Sequence, residues 1–495
     1  QRLASGMAKP CLNWESRLFA ADSTTIHADR LAEVLPRSYF WLDFAGVPQI
    51  CAADASKGAA HSMGSTSDHR FRQSALASSM ALAIDSIPAY LERSSMMIVV
   101  APVCRHHDDP SRICNLASWR RRGWCRMEVF AARTAHTCMP IMSCTASLCT
   151  PIFIMGSRFF RLVPGYGDFT CCSRGHVVNG RSIPCDRVRL RPVMESMIAA
   201  AASHRADSGD TMGSRMLQCC QQRFFSGMPT SASWRASVAR PLDLVGAFSQ
   251  SLRWAQEDVA AARAGNGVTL LHWAALSGDP AVVAQLLEEH GPEGLDSTTW
   301  PGYPEFGIPR GCLPLHLAAI CSDSHHVMAL LLEARADARE RTLDRRMPVS
   351  ATHIAACCGS TETVSWLIEH YPDTLHERHG FTGGSMLPSA AFWRCSASDM
   401  LSELLRLRAC PRTTPGMLAR HDAAILHVCA KDDSDPAAVA LLLEARCSPD
   451  TASVPPRLRF RALFWYARLR HRLRGGVRPG SLLGFFAQWE GSTPL

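Results

Sequence analysis

The sequence predicts two structural parts, an α/β part followed by an all-α part made of stacked helix pairs. The first prediction rests on apolar runs that alternate with helical patterns in the first 165 residues. The second rests on a short apolar unit that recurs through the second half of the chain. With 495 residues, 47% hydrophobic and 19% charged, the chain has the composition of a globular protein of several domains.

The charge and the cysteine content restrict the class of protein. A net charge of +8 over this length is mild, so we predict no nucleic-acid partner. The 21 cysteines show no repeated spacing, which favours reduced thiols and a cytoplasmic location. Residues 137–156 are uncharged but contain two prolines, so we expect a buried strand–turn–strand and no transmembrane segment.

Five segments define the α/β part in order. Residues 38–49 form an aromatic-rich strand pattern, and residues 84–92 form a helical pattern. Residues 95–103 are a continuous apolar run, as expected for a central parallel strand. Residues 124–134 then give a helical pattern, and another apolar run begins near Met139. This alternation predicts a parallel sheet.

Two short motifs in these segments resemble known families. The run "SSMMIVV" followed by "WCRME" is similar to the TIR domain (Toll and interleukin receptor type), which implies a flavodoxin-like parallel sheet. The earlier "WLDFAGVPQ" resembles the fungal heterokaryon-incompatibility domain, whose fold is thought to be related. The resemblance covers roughly residues 38–135, so it leaves most of the chain unexplained.

The TIR resemblance implies a site. In catalytic TIR domains the glutamate of W-C-x-x-E supports cleavage of NAD, which assigns a catalytic role to Glu128 and a pocket to Trp124, Cys125 and Asp43. NAD would then be a substrate, and no cofactor is implied. The structural alternative is that Trp124 and Cys125 pack against the sheet while Glu128 faces solvent or pairs with a neighbouring arginine. We favour this alternative and expect an assembly module, because a shared fold does not establish activity.

The second half repeats one pattern of two helices. Residues 266–287 read "NGVTLLHWAALSGDPAVVAQLL", with a capping threonine, a first apolar turn, paired alanines, a glycine and a second apolar helix. The unit recurs every 35 to 44 residues, in the segments 313–337, 350–368, 385–407 and 424–443. A single unit cannot bury its own apolar face, so stacked units must supply the core.

This unit resembles the ankyrin repeat, with its T-P-L-H-x-A-A start. The family period is about 33 residues, so each unit here carries an insertion. The resemblance implies structural roles for the threonine, proline, histidine and glycine positions, which are Thr269, His272, Gly278, Pro314, His316, His353, Gly359 and His427.

Two cysteine- and histidine-rich stretches raise the question of a metal. They are "CRHHDDPSRIC", residues 104–114, and "CCSRGHVVNGRSIPC", residues 171–185. Neither has the paired C-x-x-C spacing of a closed zinc site. Loop polarity and ordinary buried thiols explain both, so the sequence predicts no metal site.

Together these patterns predict an organisation and a function. We expect a TIR-like domain at 1–165, an extension and linker at 166–240, an ankyrin solenoid at 241–454, and a last segment at 455–495. The last segment contains a basic amphipathic pattern over 456–474, which either packs on the solenoid or makes weak contact with an anionic membrane. It ends in "EGSTPL", which resembles the start of a further, truncated repeat. The expected function is that of a protein–protein interaction scaffold in signalling.

The predicted partner is a protein of unknown identity. We expect it to bind the concave ankyrin face and its loops, including the turn-rich loop 291–310. NAD cleavage by Glu128, regulated by the ankyrin part, is the alternative function.

Overall fold

The computed structural model describes most of the chain between residues 85 and 409 and shorter pieces on either side. The described residues are 11–12, 28–41, 79, 82–83, 85–106, 109–135, 139–144, 153–154, 162–178, 181–229, 243–265, 267–321, 325–344, 348–378, 384–393, 397–409, 425–426, 429, 436–450 and 458–473. Of the sequence-predicted site residues, Asp43 and His427 lie outside these ranges.

The N-terminal part contains a small sheet. The strands are β1 (Cys11–Leu12), β2 (Met97–Val100), β3 (Cys104–Arg105), β4 (Ile113–Cys114), β5 (Ile141–Cys144), β6 (Phe153–Ile154), β7 (Val177–Val178) and β8 (Arg181–Ser182). The main sheet has the order β1-β6-β5-β2, and β3–β4 and β7–β8 form separate two-stranded ladders.

This sheet is mixed, whereas the TIR resemblance predicts parallel strands throughout. The pairs β2–β5 and β1–β6 are parallel, but β5 and β6 are antiparallel, with Met142 opposite Ile154. The strand–turn–strand interpretation of 137–156 explains the difference, because two strands joined by a short connection pair antiparallel. A TIR fold is therefore not confirmed. Of the predicted strand at 38–49, residues 38–41 lie in irregular structure and the remainder lies outside the described residues.

The helices of the first half follow, and a helical stretch at 85–92 precedes β2. They are α1 (Ala28–Val34), α2 (Leu116–Arg121), α3 (Gly123–Thr134), α4 (Thr170–Ser173), α5 (Asp186–Asp207), α6 (Thr211–Cys219) and α7 (Gln221–Phe224). Short 3-10 turns lie at Leu35–Arg37 and Pro164–Tyr166.

Helix α3 carries the W-C-x-x-E motif and joins two apolar cores. Val129 and Ala132 on one side pack with the sheet strands in a small core. Met127 and Phe130 on the other side belong to a large core that extends to Cys447. Ten of the twelve residues of the helix are buried, so α3 is an interior element and not an ordinary surface helix.

The second half is built from short helices. They are α8 (Leu244–Ser251), α9 (Gln256–Arg263), α10 (Leu270–Ser277), α11 (Pro280–His290), α12 (Pro314–Cys321), α13 (His326–Glu333), α14 (Ala351–Cys358), α15 (Thr361–His370), α16 (Met386–Trp393), α17 (Ser398–Arg406), α18 (Pro436–Glu444) and α19 (Leu458–Leu473). Further 3-10 turns lie at Pro304–Phe306 and Pro372–His376.

These helices pair and stack as the repeat pattern predicts. The first helices α10, α12, α14 and α16 pack in sequence against one another. Each also contacts its own second helix, namely α11, α13, α15 or α17. Two layers of helices result, and the apolar residues between them form one continuous core, which is the arrangement of a helical solenoid.

The segment 186–228 packs on α3 of the α/β part and also belongs to the solenoid core. Helix α6 packs against α10, and α7 packs against α12. Leu190, Met194 and Ile198 of α5 are buried in the same core as the repeats. The segment therefore covers one side of the first two repeats.

The terminal helix α19 leaves much of its predicted apolar stripe in water. Trp465 is 64% exposed and Leu473 is 75% exposed, while Ala467 is fully buried. Packing of this stripe on the solenoid, one of the two alternatives from the sequence, is therefore not what the structure shows for Trp465 and Leu473. Contact with an anionic membrane stays a prediction. No described helix is both long and apolar enough to cross a bilayer.

Candidate functional site

Three residues of the W-C-x-x-E motif have structural roles. The Trp124 indole N–H donates to an Asp186 carboxylate oxygen at 3.1 Å. The Cys125 side chain is buried. Arg126 is also buried, and its guanidinium donates to the carbonyl oxygens of Arg120 at 2.8 Å and Val163 at 3.1 Å. The motif thus ties α3 to the start of α5 and to the segment that leads into it.

Glu128 lies one helical turn after Trp124, so both point to the same side of α3. Both are half-buried between fully buried neighbours. Trp124 packs against the large solenoid core and not against the sheet, which corrects the structural alternative drawn from the sequence. The predicted fourth member of the pocket, Asp43, lies outside the described residues.

His272 has a structural role that the repeat pattern alone does not reveal. Its Nδ1 accepts hydrogen bonds from the Thr269 backbone N–H at 3.2 Å and the Thr269 hydroxyl at 2.7 Å. Its Nε2 donates to the Ser297 carbonyl oxygen at 3.0 Å. Burial lowers the pKa of His272 to about 4, which keeps the ring neutral and preserves this donor–acceptor arrangement.

The second repeat reproduces this geometry. His316 Nδ1 accepts from the Leu313 backbone N–H at 3.0 Å, and Nε2 donates to the Glu340 carbonyl oxygen at 3.1 Å. Burial also lowers the pKa of His316 to about 4. In the third repeat His353 is buried, with Nδ1 3.4 Å from the Ser350 hydroxyl. In the first two repeats, the histidine fastens the start of its helix to the following inter-repeat loop.

The proline and the two glycines of the repeat motif are favoured at their positions for different physical reasons. Pro314 is the first residue of α12, where its missing N–H costs no hydrogen bond. Gly278 follows α10 in the left-handed region, with φ 71°. Gly359 follows α14 with φ −78°, so it needs no left-handed backbone. A Cβ there would lie 2.9 Å from the Ala319 carbonyl oxygen, so close packing between helices favours glycine.

Several side chains of the predicted binding loop 291–310 make contacts within the protein. Trp300 is fully buried and packs edge-on against Trp273, with ring centroids 5.2 Å apart. Phe306 is buried as well. Glu305 forms an ion pair with Arg205 of α5 at 2.6 Å. Helices α6 and α7 also cover the first helices of these repeats, so the chain itself occupies part of the predicted binding surface.

A row of stacked rings lies on the second-helix layer, and we call it the outer aromatic row. It consists of His325, His326, Trp366 and His370. The centroid of His325 lies 5.2 Å from that of Trp366, which lies 4.4 Å from that of His370. His326 and His370 are exposed, and Trp366 is half-buried. The sequence signal was only an aromatic residue recurring in neighbouring repeats, which hydrophobic periodicity does not detect.

Within the described residues, one group of side chains has the geometry to hold a metal ion. Cys171, Cys172, His176 and Cys185 place a ligand atom each within 4.8 Å of one another. In the other cysteine-rich stretch, Cys104 and Cys114 face each other across the β3–β4 ladder, and His107 and Asp108 lie outside the described residues.

Comparison with known proteins supports the repeat interpretation. Residues 271–378 match the family described as ankyrin repeats (3 copies). A search of the curated proteins finds no match to the chain.

Two solved structures are similar to part of the chain. The ankyrin repeat domain of Bcl-3 is 18% identical, with 43% of this chain and 87% of that chain covered and a TM-score of 0.30. The second structure is the complex of the predatory endopeptidase Bd0816 of Bdellovibrio bacteriovorus with the immunity protein Bd3460. One chain of it is 17% identical, with 37% of this chain and 84% of that chain covered and a TM-score of 0.29. Scores this low add nothing to an argument on function.

The matched segment contains His272, His316 and His353, the three histidines that occupy the same place in successive helix pairs. The stacked first helices and the repeated histidine geometry agree with the match. Residues 271–378 of this protein are therefore a segment of ankyrin repeats.

Proposed function

We propose that this protein binds a protein partner through the outer aromatic row of its ankyrin repeats. The observation that carries the proposal is the stacking of His325, Trp366 and His370 across two neighbouring second helices. Tryptophan in a partly desolvated position is the residue type most often found at the energetic centre of an interface. Ankyrin solenoids expose extended surfaces that suit such binding.

Charges around the row support a polar rim. His325 Nδ1 lies 3.0 Å from a Glu362 carboxylate oxygen, and the Glu362 side chain is 60% exposed. Arg406 is 59% exposed and lies 3.9 Å from Glu369. A partly buried aromatic centre with exposed charges of both signs around it matches the composition of protein–protein interfaces.

Covered surfaces also favour this row. Segment 211–224 packs on the first helices of repeats one and two, and loop 291–310 is held by Arg205. The concave site predicted from the sequence is thus partly occupied by the chain itself. A role in signalling and a cytoplasmic location stay predictions from the sequence.

The test compares capture of proteins from a cell extract by the intact protein and by a Trp366→Ala variant. We expect a partner that is retained by the intact protein and weakened about 30-fold by the substitution, as for an interface residue worth about 2 kcal/mol. Trp465→Ala is the matched control, because it removes an exposed tryptophan outside the repeats. Equal capture by all three proteins would contradict the proposal, and so would equal loss in both variants.

The alternative, NAD cleavage by Glu128, has a separate test. Purified intact protein is incubated with NAD, and release of nicotinamide is followed for the unmodified chain and for Glu128→Gln. Glu195→Gln is the control, because it removes a carboxylate that is paired with Arg191 on another helix. The alternative needs activity that disappears only in the Glu128 variant, whereas the scaffold proposal expects no release in any of the three.

A further inference from the structure

Three sulfur atoms and an imidazole converge at the start of α5. The Sγ atoms of Cys171 and Cys172 are 3.9 Å apart, and those of Cys172 and Cys185 are 3.7 Å apart. A zinc ion with Zn–S bonds of about 2.3 Å in tetrahedral geometry places neighbouring sulfurs about 3.8 Å apart. One ligand atom of His176 lies within 4.8 Å of all three sulfurs. The four side chains thus need only small shifts to surround one ion.

The local sequence explains how the four side chains meet. Cys171 and Cys172 lie in the single-turn helix α4, which ends with Gly175 in the left-handed region. The Gly175 N–H donates to the Cys172 carbonyl oxygen at 3.0 Å, and the His176 N–H donates to the Cys171 carbonyl oxygen at 2.8 Å. This pair of bonds is a Schellman motif, and it turns the chain back so that His176 faces the thiols.

A short hairpin after His176 then brings the chain back to the thiols of Cys171 and Cys172. Strands β7 and β8 pair antiparallel, and the Ile183 N–H donates to the His176 carbonyl oxygen at 2.9 Å. Cys185 follows as the N-cap residue of α5, a helix of 22 residues. Ligands from a turn, a hairpin and a helix start cannot be recognised by a C-x-x-C spacing, so the sequence pattern missed them.

His176 indicates that a ligand belongs here. Its Nε2 is buried and has no hydrogen-bond partner among the described residues. Buried polar atoms are nearly always satisfied, so an imidazole held in this way beside three sulfurs needs an explanation. Coordination to a metal ion supplies the missing partner.

The surroundings suit thiolates more than thiols once an ion is bound. The Asp186 backbone N–H, in the first turn of α5, donates to Cys171 Sγ at 3.4 Å. The N-terminus of a long helix also favours negative charge.

We propose that Cys171, Cys172, His176 and Cys185 bind one zinc ion in a closed structural site. Three thiolates and one neutral imidazole are a common zinc ligand set, and a complete set of four protein ligands leaves no open position for catalysis. Binding releases the three thiol protons, and the complex of Zn²⁺ with three thiolates carries a net charge of −1. No electrons are transferred in this step.

The ion fastens the two halves of the protein together. Asp186, whose N–H contacts Cys171, also accepts the hydrogen bond from Trp124 of α3. The same region also lies very close to α3, as Gly123 shows: a Cβ there would overlap the Phe169 ring. Zinc therefore holds the start of α5 against the helix that joins the small sheet core to the solenoid core.

The first test measures metal in the intact protein. The chain is purified without chelators and its metal content is determined by mass spectrometry. We expect one zinc ion per chain, and thiol-modifying mercurials should release it. Replacement by Co²⁺ should produce a thiolate-to-cobalt charge-transfer band and the intense d–d absorption of a tetrahedral site. Protein that contains no zinc and binds neither ion after reduction would overturn the proposal, as would a Cys172–Cys185 disulfide that persists in the purified chain.

Variants locate the site. Cys185→Ser and His176→Ala should lose the zinc or bind it at least about 10-fold more weakly. His176→Cys should retain one ion, and its cobalt spectrum should change towards that of a four-thiolate site, which a variant that merely misfolds cannot show. Cys104→Ser is the control and should keep the full zinc content, because this exposed thiol is outside the cluster. Unchanged zinc content in all four variants would show that any bound metal is elsewhere.

Discussion

Arg205 and Glu305, 100 residues apart in sequence, form a two-point ion pair that joins α5 to the first inter-repeat loop. The two guanidinium nitrogens lie 2.6 and 3.2 Å from the carboxylate oxygens, and Arg205 also contacts the Tyr303 hydroxyl at 2.7 Å. The side chains are only 15% and 24% exposed. This pair is one of the contacts that hold segment 186–228 against the first two repeats.

Removal of either charge should destabilise the fold. We expect Arg205→Gln to lower the free energy of unfolding by about 2 kcal/mol, because it removes the guanidinium that pairs with both Glu305 and Asp210. Glu305→Gln should lower it less, because Arg205 keeps the Asp210 carboxylate at 3.1 Å. A double-mutant cycle in urea should give a coupling energy of about 1–2 kcal/mol. The exposed pair Arg339–Asp373 is the control and should give less than about 0.5 kcal/mol. Equal coupling in the two pairs would show that burial does not matter here.

Phe224 connects the two halves of the protein. Its ring contacts Phe130 of α3 at a centroid distance of 5.4 Å and Phe306 of the first inter-repeat loop at 6.1 Å. Because Phe224 is 1% exposed, Phe224→Ala should lower the free energy of unfolding by about 3–4 kcal/mol. Phe225→Ala, at the half-buried next position, should cost clearly less. Urea unfolding followed by tryptophan fluorescence measures both, and similar losses would contradict this assignment.

The two buried histidines predict a pH dependence of stability. Burial lowers the pKa of His272 and His316 to about 4, while the unfolded value is about 6.5. The unfolded chain therefore binds more protons between these values. Stability is fully present above about pH 6.5 and is lost as the pH falls towards 4, by about 2 kcal/mol per histidine at pH 5.

Unfolding in urea at pH 7.5 and at pH 5 measures this loss. His316→Gln should remove about half of the difference between the two pH values, because one of the two titrations disappears. Glu377 acts in the opposite direction, since burial raises its pKa and its neutral form is favoured in the folded protein. A His316 variant with the unmodified pH dependence would show that this ring does not stay neutral.

Two glycines with the same backbone conformation should differ in tolerance. Gly265 and Gly278 have φ values of 72° and 71°, but a Cβ on Gly265 meets nothing within 4 Å, whereas one on Gly278 meets Gln222 of α7. Gly265→Ala should cost about 1 kcal/mol from backbone strain alone. Gly278→Ala should cost slightly more, because the exposed Gln222 side chain must also move aside, and Gln222→Ala should recover this additional loss. Thermal unfolding of the three variants tests the contact, and identical shifts for both glycines would exclude it.

Sequence patterns predicted the repeat helices well because their signals are local. Thr269, Pro314 and the paired alanines indicate where a helix starts and which side packs closely. The antiparallel pairing of β5 and β6 was not predicted from the family resemblance, because pairing direction depends on the path of the connection. The roles of Trp124 and Arg126 were also missed, since their partners Asp186 and Val163 lie far along the chain.

The sequence by itself determined that helix pairs recur and must stack, because each pair is too apolar to stand alone. Only the tertiary structure decided that segment 186–228 covers the first two repeats and that Trp300 and Phe306 of loop 291–310 are buried. It also decided that three cysteines and His176 meet. The physical reason is distance along the chain. Helical periodicity can be recognised from neighbouring residues, whereas these contacts join residues that are far apart in sequence and meet only in the folded core.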